Sequence, residues 1–211
     1  MVNGSGKPFI IHHSQLEMIL PIYAYGQPVL KKVAEEISPD YPGLKELIEN
    51  MWETMRHADG VGLAAPQIGL SIRLFVMDTL TPQEEEREKS GKEPEYQGIR
   101  KVFINAEMLE ETGKDNTFEE GCLSIPDITG DVDRLDTIKI RYMDENFVEH
   151  TEVFDGTNAR VIQHEYDHLE GILFVEKLKP LKKRMIQRKL DKMKKGLIKA
   201  DYKMKFAVIR K

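Results

Sequence analysis

The chain has 211 residues, with 31 Lys and Arg against 36 Asp and Glu for a net charge of −5. With 40% hydrophobic residues it can close one substantial core, and its apolar runs fall far short of the ~20 residues that span a bilayer. A single cysteine excludes an internal disulfide and Met1–Lys7 lacks the apolar stretch of a secretory signal, so a cytoplasmic, non-membrane protein is expected.

In chain order, residues 1–17 read as an N-terminal extension and 18–211 as one catalytic domain ending in a basic helix and tail. A helix is predicted from Tyr41 to Ala58, where Leu44, Leu47, Ile48, Met51, Trp52 and Met55 recur at helical spacing and bury one stripe. Strands are predicted over Ile72–Asp78, Val102–Leu109, Thr137–Met143 and Phe147–Val153, the last two joined as a hairpin through Asp144-Glu145-Asn146. Thr81–Gly98, rich in Glu, Lys, Gly and Pro, reads as a surface insertion. A further helix begins near Gly156-Thr157-Asn158 with a polar cap and carries residues 164–168. Strands before helices, without βαβ alternation, indicate an α+β fold with antiparallel sheets packed around that helix.

The helix holds His164-Glu165-Tyr166-Asp167-His168. Residues four apart on a helix lie about 5–6 Å from each other on one face, so two imidazoles can reach one ion, and Glu165 can take a proton from water bound there. Ala159, Val161 and Ile162 before the motif and Leu169, Ile172, Leu173 and Phe174 after it make the helix apolar enough to be buried, where unpaired His and Glu would be costly. A metal-dependent hydrolase is implied.

The third ligand is not downstream. No Glu follows Glu176, Phe174 stands where HExxHxxGxxH needs its last His, and Asp191 lies among lysines, where a solvated pair with Lys195 is expected instead. Cys122 is a small buried hydrophobe, a reactive thiol or a ligand; an HExxH pair short of a ligand favours the last, and Gly121 would permit a tight backbone approach. Gly60–Gly69 lacks the lysine of a phosphate loop, but Gly62, Ala64 and Ala65 would let another backbone come close, and Gln67 offers an amide donor.

These three segments, Gly60–Gln67 as GxGLAAxQ, Glu120–Ser124 as EGCLS and Gln163–Gly171 as QHExDHLxG, resemble those of the peptide deformylases, in the same order. The likeness runs from about Met18 to Leu197, with Pro28–Ala34 similar to the family's opening helix and Leu178–Lys195 to its closing one. The resemblance implies one divalent ion held by Cys122, His164 and His168, with Fe2+ in the cell and Zn2+, Ni2+ or Co2+ after purification. It implies removal of the formyl group from N-formylmethionyl nascent peptides with release of formate, Glu165 acting as base and then acid. The carbonyl oxygen would be stabilised by the Gln67 amide and the Leu123 backbone N–H. Val61, Phe118 and Val161 would line the methionine pocket, Gly62 would bond the peptide as an added strand, and Gln163 would brace the site. Asn158, at an often apolar family position, Pro66 and the 81–98 insertion depart from the pattern.

Lys177–Lys211 carries 15 Lys and Arg against Asp191 and Asp201, a net of +13 that leaves −18 on the rest of the chain. Leu181, Met185, Ile186, Leu190, Met193, Leu197 and Ile198 give it an apolar stripe, so a helix docked on the body with its basic groups outward is expected. Such a surface suits ribosomal RNA phosphates, and a monomer is expected.

Overall fold

The computed structural model describes residues 18–93 and 96–207, so the extension read at 1–17 lies outside them. The chain opens with a two-residue strand β1 (Ile22–Tyr23) and a 3-10 turn at Pro28–Lys31. The helix expected at Pro28–Ala34 is thus a single turn, because Lys32 is already extended and Ala34 instead donates to Leu169 O at 2.7 Å. Helix α1 spans Leu44–His57, inside its predicted bounds.

Five strands, β2 (Gly62–Ala64), β3 (Leu74–Asp78), β4 (Arg100–Cys122), β5 (Ile125–Met143) and β6 (Glu149–Asp155), form an antiparallel sheet in sequence order. β3 is buried on both faces. Its alternation sends Leu74 and Val76 into a core with Ile48, Met51 and Met55 of α1, and Phe75 and Met77 into a second core. That second core contains Ala159, Ile162 and Leu169 of helix α3 (Gly156–Leu169), so the sheet lies between the two helices. Each fully buried Ile or Leu contributes about 2 kcal/mol to holding α3 there.

β4 and β5 run far beyond the predicted Leu109 and Thr137. Glu110–Thr117 is exposed and polar on both faces, which leaves no alternation to read, yet the strand pairs with β5 down to Cys122↔Ile125. A flat strand of 23 residues would span roughly 75 Å, but four register shifts interrupt the β4–β5 ladder, and such bulges bend the ribbon. The first shift follows Ile104, where Asn105 sits at φ 51° and its side chain exchanges bonds with the Ile37 backbone at 2.7 and 2.9 Å. The β5–β6 turn begins at Asp144 as expected but runs on to Val148, so β6 starts at Glu149 rather than Phe147: Asp144 Oδ1 accepts from the backbone of Asn146 and Val148, and Phe147 sits at φ 57°.

The 81–98 segment contains a helix, α2 (Leu80–Ser90), with no buried residue. It lacks an apolar stripe and so gave no periodic signal; Asp78 Oδ1 starts it by accepting from Leu80 N and Thr81 N at 3.1 and 2.9 Å. Asn158 does not cap α3. Asp155 is the flanking residue there, while Asn158 ties α3 to the insertion through Thr79 Oγ1 at 2.7 Å and Gln97 O at 2.8 Å.

Helix α4 (Pro180–Lys194) docks Ile186, Leu190 and Met193 against Leu30, Ile125, Ile128, Val132 and Leu178. Leu181, Met185 and Leu197, expected in the same stripe, are exposed. Asp191 accepts from Gln187 at 2.9 Å, and the predicted pair with Lys195 is absent among the described residues. After α4 the chain returns as β7 (Met204–Lys205), which pairs in parallel with β1, so the smaller sheet is not antiparallel.

Candidate metal centre

Helical spacing brings His164 and His168 to one face of α3, with ring centroids 5.3 Å apart and planes at 76°. The end of β4 supplies Cys122, whose Sγ is 3.3 Å from His168 Nε2. One ligand atom from each of Cys122, His164 and His168 falls within 4.8 Å of the others. A thiolate and two imidazoles suit zinc, iron(II), nickel or cobalt. Glu165 Oε2, buried beside them, has no hydrogen-bond partner among the described residues, as fits a carboxylate that would meet water on an ion.

Sequence reasoning missed how His164 is aimed. Glu120, buried two residues before Cys122, accepts from His164 Nδ1 at 2.9 Å, from Arg134 at 2.7 and 3.0 Å, and from Arg160 at 2.9 Å. Burial alone would raise the carboxyl's pKa, but the bonds from His164 and Arg134 hold it well below the usual range. An ionised carboxylate only accepts, so Nδ1 carries the hydrogen and the Nε2 lone pair is left for an ion. Arg134 also donates to Asp167 at 2.7 Å, and Lys177 lies 3.2 Å from the same carboxylate. EGCLS displayed Glu120, but its partners stand 14, 40 and 44 residues away and follow no local pattern.

Glu165 is 4% exposed, and its burial pushes its pKa up to about 7, a value at which a carboxyl can both take and return a proton. The carboxylate lies against the backbone of β2. A Cβ on Gly62 would meet Glu165 Oε1 at 2.4 Å and its Cδ at 2.7 Å. Gly62 therefore makes room for Glu165, a role the sequence did not suggest. At Gly121 a Cβ would come no closer than 3.4 Å, to Thr129 Cγ2, so the expected tight approach is not there; it occurs at Gly60, against the Leu123 side chain at 2.8 Å.

β2 is an edge strand of the sheet. Asp78 N donates to Val61 O at 2.8 Å, which makes Val61↔Asp78 a hydrogen-bonded pair and turns the N–H and C=O of the next residue, Gly62, toward the open edge. Ala64 N, pointing the same way, donates to Gln67 Oε1 at 2.8 Å. That bond orients the Gln67 amide so that its NH2 group is 3.5 Å from both Cys122 Sγ and Ser124 Oγ. Gln163 donates to Leu135 O and Ala159 O at 3.0 and 3.2 Å, fastening α3 to β5.

A cavity of about 440 Å³ opens over these groups, lined among others by Val61, Gly62, Gln67, Phe118, Val161 and Glu165. Val61 and Phe118 are 40% and 51% exposed, as open walls of a cleft rather than core. Two further wall residues were not predicted. Arg160, below Phe118 at 6.0 Å, is buried and also bonds Val132 O and Asn116 O. Tyr202, from the segment after α4, donates to Leu123 O at 2.7 Å, and burial raises its phenol pKa so that it stays a donor.

Comparison with known proteins agrees with this geometry. The family model described as polypeptide deformylase matches residues 19–184. The peptide deformylase of Flavobacterium johnsoniae is 54% identical over 92% of this chain and 99% of that protein, and that of Salinibacter ruber is 45% identical over 88% and 93%. Among solved structures, a peptide deformylase from Legionella pneumophila superimposes with a TM-score of 0.72 at 36% identity, over 85% of this chain and 97% of that one. A class I type b peptide deformylase from Acinetobacter baumannii, solved with Met-Ala-Ser bound, gives 0.67 at 35% identity, over 77% and 100%. With its family model matched over most of its length and its three motif segments gathered at one cleft, the chain belongs to the polypeptide deformylase family.

Proposed function

We propose that the cleft over α3 is where this chain does the work of its family, and that residues 18–211 act as one catalytic unit. The activity is hydrolysis of the formyl group from the N-terminal methionine of new polypeptides, releasing formate. The observation that carries the site is the Cys122, His164 and His168 cluster within 4.8 Å, with buried Glu165 beside it.

Cys122, His164 and His168 would hold the ion, with Fe2+ in the cell and Zn2+, Ni2+ or Co2+ in purified protein. When bound, it supplies a Lewis acid that polarises the formyl carbonyl and acidifies water. Glu165 takes the proton of the attacking water and returns it to the departing amine, which restores the carboxylate for the next cycle. The Gln67 NH2, oriented by Ala64, and the Leu123 N–H donate to the carbonyl oxygen as its charge grows. Donors of this kind are typically worth about 3 kcal/mol of barrier each. Glu120 keeps the His164 ring in one tautomer throughout.

The open edge of β2 receives the peptide as an added strand through Gly62, and the methionine side chain enters between Val61, Phe118 and Val161. Met-Ala-Ser, found in the Acinetobacter relative, is the product expected from formyl-Met-Ala-Ser, which supports the same occupant here. The exposed Lys183, Arg184, Arg188 and Lys189 on α4, together with Leu181 and Met185, form the surface for ribosomal RNA. The protein acts as a cytoplasmic monomer; no helix among the described residues is long and apolar enough to cross a membrane.

The discriminating experiment incubates the metal-loaded protein with formyl-Met-Ala-Ser and with Met-Ala-Ser. Formate release from the first and no cleavage of the second is expected. Hydrolysis of a peptide bond in the free tripeptide would make the protein a metallopeptidase instead.

A further inference from the structure

The turn that joins β4 to β5 is only two residues long, Leu123 and Ser124, and is closed by the pair Cys122↔Ile125, so Cys122 directly precedes Leu123 at its mouth. Its carbonyls are anchored from outside the sheet. Tyr25 N donates to Ser124 O at 2.9 Å, and the Tyr202 hydroxyl donates to Leu123 O at 2.7 Å. Tyr25 follows β1 and Tyr202 precedes β7, so the small parallel sheet links the two anchors. Ile22 N to Lys203 O and Ala24 N to Lys205 O, both 2.9 Å, close that ladder, and Lys205 Nζ reaches Tyr23 Oη at 2.9 Å. Phe206 and Ile198 pack on the same core as α4. The tail is thus fastened at its far end and spans back across the catalytic turn. The family match stops at residue 184, so this arm lies outside the segment that matches.

We propose that Tyr202 is a positioning residue for the reaction: its hydroxyl holds the Leu123–Ser124 turn so that the Leu123 N–H meets the reacting carbonyl oxygen. The inference rests on the reading of Leu123 as an oxyanion donor. A turn free to rock about its two ends would misplace that N–H, and loose placement of a donor costs rate without costing peptide affinity. The same arm links the site mechanically to α4, since the chain passes from Lys194 to Tyr202 in eight residues.

The test is Tyr202→Phe in the full chain, loaded with cobalt, with Tyr202→Leu as a second variant. For Tyr202→Phe, kcat on formyl-Met-Ala-Ser should fall roughly three- to tenfold, the worth of one hydrogen bond, with KM and melting temperature near those of the parent. The thiolate-to-cobalt absorption band should shift, because Cys122 directly precedes Leu123. Tyr202→Leu should lower kcat at least as far. Parental kcat and an unshifted band in Tyr202→Phe would overturn the proposal, as would a lower melting temperature with unchanged kcat, which marks a purely structural role. A parent protein with no thiolate band would instead refute the reading of Cys122 as ligand, and the kcat comparison would still decide Tyr202.

Discussion

Replacing Gly62 with Ala tests Glu165's placement apart from the metal ligands. The new methyl would stand 2.4 Å from Glu165 Oε1 and 2.8 Å from Cγ, and moving Oε1 to ordinary contact near 3.4 Å requires a displacement of about 1 Å. Glu165 is buried on a helix packed into the core, so the carboxylate must swing or β2 must yield. A 1 Å misplacement of a reacting group costs on the order of 100-fold in rate, or about 2.7 kcal/mol, and overpacking adds about 1–3 kcal/mol of lost stability. The three atoms nearest the methyl all belong to Glu165, so metal content should stay at one ion per chain. The assay is kcat on formyl-Met-Ala-Ser beside elemental analysis and thermal melting. A Gly62→Ala protein with full metal and parental kcat would refute the reasoning, because it would mean that Glu165 can work from a displaced position.

Further outcomes follow from the buried charges and the surface. Glu120→Gln leaves Arg134 and Arg160 without their shared carboxylate and His164 without a fixed tautomer. Stability should fall by about 3–5 kcal/mol in denaturant titration, and metal affinity about 10- to 100-fold in chelator competition. Chelation should abolish formate release, and Fe2+, Zn2+, Ni2+ or Co2+ should restore it, with proton release in calorimetry because Cys122 binds as thiolate. Neutralising Lys183, Arg184, Arg188 and Lys189 together should weaken ribosome binding and flatten its salt dependence while leaving kcat on a tripeptide unchanged; undiminished binding would remove α4 as the contact. Substitution serves better here than truncation after Leu197, which would also remove Tyr202.

What could be read from the sequence was what repeats locally. His164 and His168 declare themselves because four residues make one helical turn, and α1 because Leu44, Ile48, Met51 and Met55 share a stripe. Cys122 followed from an HExxH pair short of a third ligand and Gln67 from its amide in a small-residue loop, while motif resemblance added Leu123, and the structure brings their side chains or backbone to the same cleft as the helix. The polar half of β4 stayed hidden because a strand held by pairing alone has no apolar alternation, and α2 because a fully exposed helix has no stripe. Glu120, Arg134, Arg160 and Asp167 form one network only after the β4–β5 ribbon has curled onto α3, a long-range event without a local signature. The apolar residues of α4 misled in part: Leu181 and Met185 have the spacing of a buried face and remain in solvent.

The central claim is that Glu165 moves the proton in a site built by Cys122, His164 and His168. Glu165→Gln keeps the size of the side chain and removes its basicity. The measurement is formate release from formyl-Met-Ala-Ser by Glu165→Gln protein whose metal content has been determined on the same sample. The account predicts one bound ion and a rate lower by about 100- to 10,000-fold. A fully metal-loaded Glu165→Gln protein releasing formate at the parental rate would contradict it.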